Sequence, residues 1–325
     1  MIITQTPLRI SFLGGGTDFR EFYSQEGGCV LSAAIDKYVF VVLTERFDDK
    51  IYVDYSRREI VDDVSQIQHE LVREAMRITG TERGIEIATL ADIPSEGTGL
   101  GSSSSVTVGL LHALYTHQGV IRSAEDLAQE ACKIEIDICS KPIGKQDQYI
   151  AAYGGLRFIE FCPDEKVRLS SIILDRDAQQ ELSRHLMLFY TNRTRRSETI
   201  LSEQKKNIET QMETLRTLKA LAIEGKTCLQ QGNFDLLGAL LHQGWEWKRR
   251  LASKISDPEI DAIYDAARQA GAIGGKITGA GGGGFLLLYC PQGRQRAVRQ
   301  TLSALREVPL QIERDGAKVI FNYRR

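Results

Sequence analysis

The sequence predicts a two-domain protein in which strands and helices are both abundant. Its 325 residues are enough for two domains of ordinary size. Segments rich in β-forming residues, such as residues 38–43, are interspersed with segments whose apolar residues recur at helical spacing, such as residues 197–218. The composition shifts near residues 163–168, which is typical of a domain boundary. We therefore expect a first domain over residues 1–165 and a second over residues 166–325.

The composition is that of a soluble globular protein and excludes several functional classes. Hydrophobic residues make up 42% and charged residues 26%, and the formal net charge is -2. This balance does not favour nucleic acid or an anionic membrane as a partner. We find neither a signal peptide nor an apolar run long enough to cross a bilayer. The six cysteines are dispersed without a C-x-x-C pair, so we expect no zinc or redox motif, reduced thiols and a cytoplasmic location.

The first domain is predicted to open with two long strands separated by a glycine-rich turn. Residues 2–13 form the first strand, and Pro7 predicts an edge or a bend within it. Glycines 14–16 end the strand, and Asp18 follows, where it serves either as a turn residue or as a ligand. Residues 29–44 form the second strand because they are rich in β-formers. The next elements are strands over residues 51–54, 60–62 and 85–90 and a helix over residues 65–79.

The stretch from residue 94 to residue 105 combines glycines with serines immediately before a helix. Gly97, Gly99 and Gly101 permit positive φ and a close approach of the backbone to a ligand. The serines that follow are favoured helix N-caps, and residues 106–114 are apolar and helix-like. A helix beginning here points its free N–H groups and positive dipole end at the loop, as in phosphate-binding sites. The alternative is a flexible linker, but linkers seldom run directly into an amphipathic helix.

A second helix carries a carboxylate beside its apolar face. Residues 123–126 resemble a capping box that starts this helix. Glu135 lies next to the apolar stripe, either as a solvated charge or as a metal ligand at the edge of the core. The loop of residues 145–149 follows and contains Asp147, and residues 156–161 form the next strand. The apolar stripe consists of Leu127, Ala131, Ile134 and Ile138.

The second domain is predicted to contain a basic loop after its first strand. The strand covers residues 186–191, and residues 192–196 include three arginines. Such clusters are usually solvated, but one between a strand and a helix can also hold a phosphate. The later elements are helices from residue 197 onward and over residues 234–251, 258–270 and 295–306, and strands over residues 285–289 and 317–323.

A long glycine run over residues 276–284 precedes the strand at residues 285–289. It matches G-x-G-x-x-G formally, but the dinucleotide fingerprint must follow a strand and open a helix. We therefore reject a Rossmann site, and the chain also lacks the P-loop sequence. The chain thus contains a phosphate-binding loop, an acidic residue on a helix and Asp147. Together these are parts that phosphoryl transfer needs.

With these motifs the sequence resembles the GHMP kinase superfamily, which includes galactokinase, homoserine kinase and mevalonate kinase. Three family motifs occur in order, at residues 6–18, 94–105 and 276–285, and they span nearly the whole chain. Within the superfamily, the sequence is similar to the sugar-1-kinase branch that includes bacterial heptose 7-phosphate kinases. Residues 14–18, 142–149 and 188–191 carry this finer resemblance.

The resemblance implies an α+β fold with two domains. The N-terminal, ATP-binding domain would be ribosomal S5 domain 2-like and the C-terminal domain ferredoxin-like, with the substrates in the cleft between them. The implied function is Mg²⁺- and ATP-dependent phosphorylation of the anomeric (C1) hydroxyl of D-glycero-D-manno-heptose 7-phosphate. The 1,7-bisphosphate product would feed nucleotide-activated heptose synthesis. The alternatives are a kinase for a free sugar such as fucose or galactose, and a non-catalytic sugar or nucleotide sensor.

The family motifs also imply a role for individual residues. Asp147 would accept or orient the proton of the sugar hydroxyl, with Arg9 beside it, and Ser103 and Glu135 would bind Mg²⁺. Asp18, with Thr17, would bind sugar hydroxyls, and Gly281 and Gly282 would support the acceptor site. The residues expected to surround the ATP phosphates are Gly97, Gly99, Leu100, Gly101, Ser102, Ser103 and Ser104.

Two departures from galactokinases predict a larger or phosphorylated sugar. Gly15 and Gly16 replace a Glu-His pair that holds the hexose, which opens space, and Lys145 replaces an apolar residue. The expected partners are thus a sugar phosphate and ATP; a homodimer is compatible with the sequence, which does not fix the oligomeric state. Other candidates to hold the phosphate are Arg193, Arg195, Arg196 and Lys37.

Overall fold

The computed structural model describes residues 1–93, 97–194 and 197–323. Two sets of predicted site residues lie outside these ranges. They are residues 94–96 of the glycine- and serine-rich motif and the candidate phosphate ligands Arg195 and Arg196.

The strands of the described residues form two sheets. In the first sheet the order is β12-β1-β2-β5-β3-β4, and β6 pairs with β2 and with β7; in the second sheet the order is β11-β8-β10-β9. The strands are β1 (Ile2–Leu13), β2 (Gly28–Glu45), β3 (Ile51–Asp54), β4 (Arg58–Val61), β5 (Ile85–Ala91), β6 (Leu156–Phe161), β7 (Val167–Ser171), β8 (Leu186–Tyr190), β9 (Gly274–Ile277), β10 (Phe285–Tyr289), β11 (Arg306–Glu307) and β12 (Lys318–Asn322).

The helices pack against these sheets and between them. They are α1 (Arg20–Glu26), α2 (Glu70–Thr79), α3 (Ser102–Gln118), α4 (Ala124–Cys132), α5 (Gln146–Tyr153), α6 (Arg176–His185), α7 (Ser197–Asn207), α8 (Met212–Gln230), α9 (Phe234–Lys248), α10 (Pro258–Gln269) and α11 (Gln292–Thr301). Among the described residues, no helix is both long enough and apolar enough to cross a membrane.

The antiparallel pair of β1 and β2 forms the centre of the first sheet. The bend that Pro7 predicts is present as an irregularity in the register between Pro7 and Leu8. On its other side β1 pairs with β12 only from Ile2 to Gln5, so the missing N–H of Pro7 interrupts no bond there. The second half of β1 is fully buried, which fixes the position of Arg9 within it.

The two sheets do not divide the chain where the composition changes. Although β7 and β12 belong to the predicted second domain, both lie in the first sheet. The chain therefore returns to the first sheet at its end, and the division at residues 165 and 166 stays a prediction. Two hydrophobic cores accompany the sheets, and Trp245 is fully buried in the second.

The helix predicted from residue 123 is split into two parts. Ser123 and Asp126 form the predicted capping box at the start of α4. After Cys132 the backbone changes to a π-helical turn over Lys133–Ile138. Such turns are rare and occur frequently at functional sites, and this one contains Glu135.

Candidate active site

The glycine- and serine-rich loop adopts the conformation that its glycines predict. Gly97, Gly99 and Gly101 have φ of 69°, 74° and 78°, in the left-handed region that favours glycine. A Cβ on Gly99 would lie 2.5 Å from the carbonyl oxygen of Thr278, so this loop packs closely against the third glycine-rich motif. Helix α3 begins directly after Gly101 and directs its unpaired N–H groups toward the loop.

A pocket of about 750 Å³ lies in front of this loop, and we call it the loop pocket. Gly97, Gly99 and Ser102–Ser104 line it, together with residues from α7 and the third motif. The hydroxyl of Ser102 is buried and has no hydrogen-bond partner among the described residues. Because an unpaired buried hydroxyl is costly, this one suits a ligand oxygen such as that of a phosphate. Leu100 is buried in the core and contributes its carbonyl, which accepts a 2.9 Å bond from the N–H of Arg9.

Glu135 is fully buried directly behind the loop pocket. Its two carboxylate oxygens accept hydrogen bonds of 2.7 Å from Ser103, 2.7 Å from Ser104 and 2.5 Å from Gln148. Burial raises the pKa of this carboxyl, while the nearby Lys141 ammonium and the three hydrogen bonds lower it. The side chain is thus held in one orientation, with one oxygen beside the hydroxyl of Ser103.

Ser103 and Glu135 present oxygen atoms, which are the ligands that Mg²⁺ prefers. The Ser103 hydroxyl and one Glu135 oxygen are joined by a 2.7 Å hydrogen bond, so a cation that replaced the hydroxyl proton between them would contact both. Among the described residues there is no cluster of three His, Cys, Asp or Glu side chains suited to a metal. Mg²⁺ in phosphoryl-transfer sites needs no such cluster, because phosphate oxygens and waters complete its shell.

Arg9 and Asp147 form a bidentate ion pair. The Arg9 Nε and Nη2 atoms donate to the two oxygens of Asp147 at 2.7 and 2.6 Å, and Nη1 donates to the carbonyl of Gly99 at 2.6 Å. The Arg9 side chain is 6% exposed and that of Asp147 is 23% exposed. A bidentate geometry fixes both planes, so the carboxylate has a defined orientation toward the pockets.

A narrow pocket of about 70 Å³, which we call the inner pocket, adjoins the loop pocket. Arg9 and Asp147 line both pockets and therefore lie where they meet. Asp18 lines the inner pocket, accepts bonds from the N–H groups of Gly16 and Gln146, and has a pKa raised by burial and by the charge of Asp147. Helices α5, α7 and α9, the loop after β1 and strand β9 all contribute to its walls.

Two family models match the chain: GHMP kinases N terminal domain over residues 65–155 and GHMP kinases C terminal over residues 226–307. The chain is 31% identical over 305 residues to D-glycero-alpha-D-manno-heptose 7-phosphate kinase of Campylobacter jejuni, and the match covers 89% of each protein. The chain belongs to the GHMP kinases. It is therefore an ATP-dependent phosphotransferase, and the predicted family and fold class are confirmed.

Solved structures of GHMP kinases share the fold along the full chain. A D-glycero-D-manno-heptose 1-phosphate kinase from Bacteroides thetaiotaomicron superposes with a TM-score of 0.84 at 25% identity, covering 100% of both chains. Galactokinase from Lactococcus lactis superposes with a TM-score of 0.75 at 20% identity, covering 98% of this chain and 94% of its own. The second likeness shows the fold alone.

Several residues predicted to contact the acceptor have other partners in this GHMP kinase. Lys145 forms an ion pair with Glu165 and lies 4.9 Å from the centre of the Tyr23 ring, outside both pockets. Arg193 pairs with Asp257 at 2.7 Å and with Glu259 at 2.9 Å. The other predicted acceptor residues with different partners are Thr17, Gly281 and Gly282. The Thr17 hydroxyl shares its proton between the carbonyls of Gly14 and Cys29, and both glycines pack on Ile255. The carboxylates that pair with Lys145 and Arg193 are distant from them in the sequence, so the sequence did not reveal these ion pairs.

Sequence reasoning did not assign roles to three lysines that line the pockets. Lys141 lines the loop pocket and donates to Ser103 at 3.3 Å and to Glu70 at 3.0 Å. Lys248 and Lys276 are buried and line the inner pocket. Lys276 opens the third glycine-rich motif, which was the only sequence signal for it. Lys141 follows the π-helical turn and Lys248 ends α9, and no motif marks either of them.

Proposed function

We propose that this GHMP kinase transfers the γ-phosphoryl group of ATP to the anomeric hydroxyl of D-glycero-D-manno-heptose 7-phosphate. The product would be the 1,7-bisphosphate. The similarity to the Campylobacter jejuni heptose 7-phosphate kinase and to the Bacteroides thetaiotaomicron heptose kinase supports a heptose phosphate as the acceptor.

The position of the Arg9–Asp147 pair carries this proposal. Both side chains line the loop pocket and the inner pocket, so a group passing from one pocket to the other passes them. Phosphoryl transfer requires a carboxylate at the acceptor hydroxyl and a cation at the transferred group. A carboxylate and a guanidinium fixed by two hydrogen bonds at this junction provide both.

The reaction then follows from the placement of these groups. The anomeric oxygen attacks the γ-phosphorus, the bond from that phosphorus to the bridging oxygen breaks, and ADP leaves with the electron pair. The hydroxyl proton passes to the Asp147 carboxylate, while Arg9 stabilises the negative charge on the equatorial oxygens. Mg²⁺, held through Ser103 and Glu135, would neutralise charge on the nucleotide phosphates.

The nucleotide has space for its phosphates and for its base. The first turn of α3 and the unpartnered hydroxyl of Ser102 suit the phosphates. A further pocket of about 720 Å³ shares Ser103 and Lys141 with the loop pocket. Its walls include Leu90 and the Tyr55 ring, which packs edge-on against His69 at 4.7 Å. Apolar and aromatic walls suit a planar base, so we place the adenine there.

Gly15 and Gly16 line the inner pocket without projecting a side chain into it. No side chain projects at Gly15, where a Cβ would come no closer than 3.9 Å to the Ser11 hydroxyl. At Gly16 a Cβ would lie 2.5 Å from the amide nitrogen of Gln204 and 3.2 Å from Leu215, so neighbouring side chains fill the space that this glycine was expected to open. Only the open space at Gly15 therefore supports a heptose over a galactose-like sugar.

Phosphorus NMR of the reaction product tests the position of transfer. We expect incubation of the protein with ATP, Mg²⁺ and heptose 7-phosphate to give a second phosphate signal coupled to the anomeric proton. Hydrolysis by mild acid, to which anomeric phosphates are sensitive, should remove this signal and leave the 7-phosphate. A new phosphate on any other carbon would contradict the proposal, and ADP formation without a new sugar phosphate would indicate an ATPase.

A further inference from the structure

Lys276 is a buried cation that the mechanism above does not use. It lies in β9, is 5% exposed and lines the inner pocket. Its Nζ atom donates one hydrogen bond, at 3.2 Å, to the carbonyl of Phe12. No other partner for this ammonium occurs among the described residues, so two of its three N–H donors remain for a ligand.

Two further polar atoms at the inner pocket have no partner within the described part of the chain. They are the hydroxyl of Ser11 and the side-chain carbonyl oxygen of Gln146. Both residues line the same pocket as Lys276, and both atoms are buried. A buried polar atom without a hydrogen bond costs about 1–3 kcal/mol. A ligand that supplied donors and acceptors here would remove this cost.

The charges around Lys276 indicate what kind of ligand fits. The charged groups lining the same pocket are Arg9 on β1, Asp18 in the following loop, Asp147 on α5 and Lys248 on α9. Arg9 is already bound to Asp147 and Gly99. A phosphate has no proton to donate to the Gln146 amide oxygen or to the two carboxylates, whereas sugar hydroxyls both donate and accept.

We propose that Lys276, Ser11 and Gln146 form a subsite that binds hydroxyl groups of the acceptor sugar, and that the acceptor's phosphate lies elsewhere. This inference rests on the proposed sugar-kinase function and names the side chains that orient the sugar for transfer. Lys276 is a binding residue in this account, because its ammonium contacts the substrate.

The protonation of Lys276 makes acceptor binding sensitive to pH. Burial, together with the neighbouring Arg9, lowers the pKa of this lysine to about 7, while Asp18 opposes the shift. Below that pH the ammonium donates to the sugar; above it the neutral amine is a weaker donor. The KM for the acceptor should therefore rise as pH increases through about 7.

Steady-state kinetics of Lys276→Met and Lys276→Arg test the subsite. We expect the methionine variant to raise the KM for heptose 7-phosphate about 10- to 100-fold, as for loss of a charged hydrogen bond. In this variant the KM should no longer rise as the pH increases through about 7. The KM for ATP should stay within about threefold, and arginine should restore part of the affinity. Lys219→Met is the matched control, because its amine also donates to a backbone carbonyl, that of Glu26, but lies outside both pockets.

Three results would overturn the inference. The first is an unchanged acceptor KM in a folded Lys276→Met protein, and the second is an equal loss in Lys219→Met. The third comes from calorimetry with heptose 7-phosphate and free heptose: an effect confined to the phosphorylated sugar would place the phosphate at Lys276. Failure of the wild-type protein to phosphorylate any heptose phosphate would instead reject the proposed function.

Discussion

Replacing Asp147 with asparagine separates its chemical role from its structural one. Asparagine keeps one carbonyl oxygen, so one of the two hydrogen bonds from Arg9, at 2.7 and 2.6 Å, can persist. The Arg9 side chain is 6% exposed, and the lost charged hydrogen bond should cost about 1.5–3 kcal/mol of unfolding free energy. The amide cannot accept the hydroxyl proton, so we expect kcat to fall about 10²- to 10⁴-fold.

The assay couples ADP release to NADH oxidation and measures nucleotide binding by calorimetry with a non-hydrolysable ATP analogue. We expect nucleotide affinity within about threefold of wild type, since α3 and the glycine loop are unchanged. Glu74→Gln is the control, because it removes the charge of a buried carboxylate that pairs with the more exposed Arg73 and Arg77 on α2. That variant should lose stability but keep kcat. Wild-type turnover in Asp147→Asn would refute the role of this carboxylate.

Three other changes have defined outcomes. Glu135→Gln places an amide among the hydroxyl donors of Ser103 and Ser104. The Mg²⁺ concentration for half-maximal activity should therefore rise about 10- to 100-fold, and an unchanged Mg²⁺ concentration would argue against a metal role for Glu135. Gly144→Ala puts a Cβ 2.1 Å from an oxygen of Asp18 and should cost about 1–3 kcal/mol in urea unfolding, with a higher acceptor KM. For Lys276, the folded pKa of about 7 lies below the ordinary 10.5, so the unfolded state binds more protons between these values. Wild-type stability relative to Lys276→Met should thus increase from pH 7 to pH 10, and a constant difference would contradict the buried charge.

Local sequence signals predicted the glycine-rich loop and helix α3 of the site, but not every element that surrounds it. The glycines before α3 take the positive φ that only glycine adopts freely, and the Ser123 capping box is present. Helices α1, α5 and α6 and strands β7 and β9 were not predicted, because they are short or polar. The π-helical turn at Glu135 was also not predicted; within it Ile134 is buried in the core and Glu135 accepts a bond from Ser103 of α3.

The acceptor side of the site was harder to predict from sequence. Lys145 and Arg193 are basic residues next to motifs, yet each meets a carboxylate that is distant in the sequence, Glu165 or Asp257. Lys276 was hidden because its position in the pocket depends on β9 pairing with β10. Residue type and spacing identify a phosphate loop, because its glycines and serines are consecutive, but a pocket built from five elements depends on tertiary packing.

The acceptor specificity of ATP consumption tests the central claim most directly. The purified protein, with Mg²⁺ and ATP, would be assayed with heptose 7-phosphate, mannose 6-phosphate and free fucose, galactose and mannose. The account predicts the highest kcat/KM with heptose 7-phosphate and much lower values with the free sugars. Turnover only with a free sugar would keep the kinase and reject the heptose phosphate acceptor.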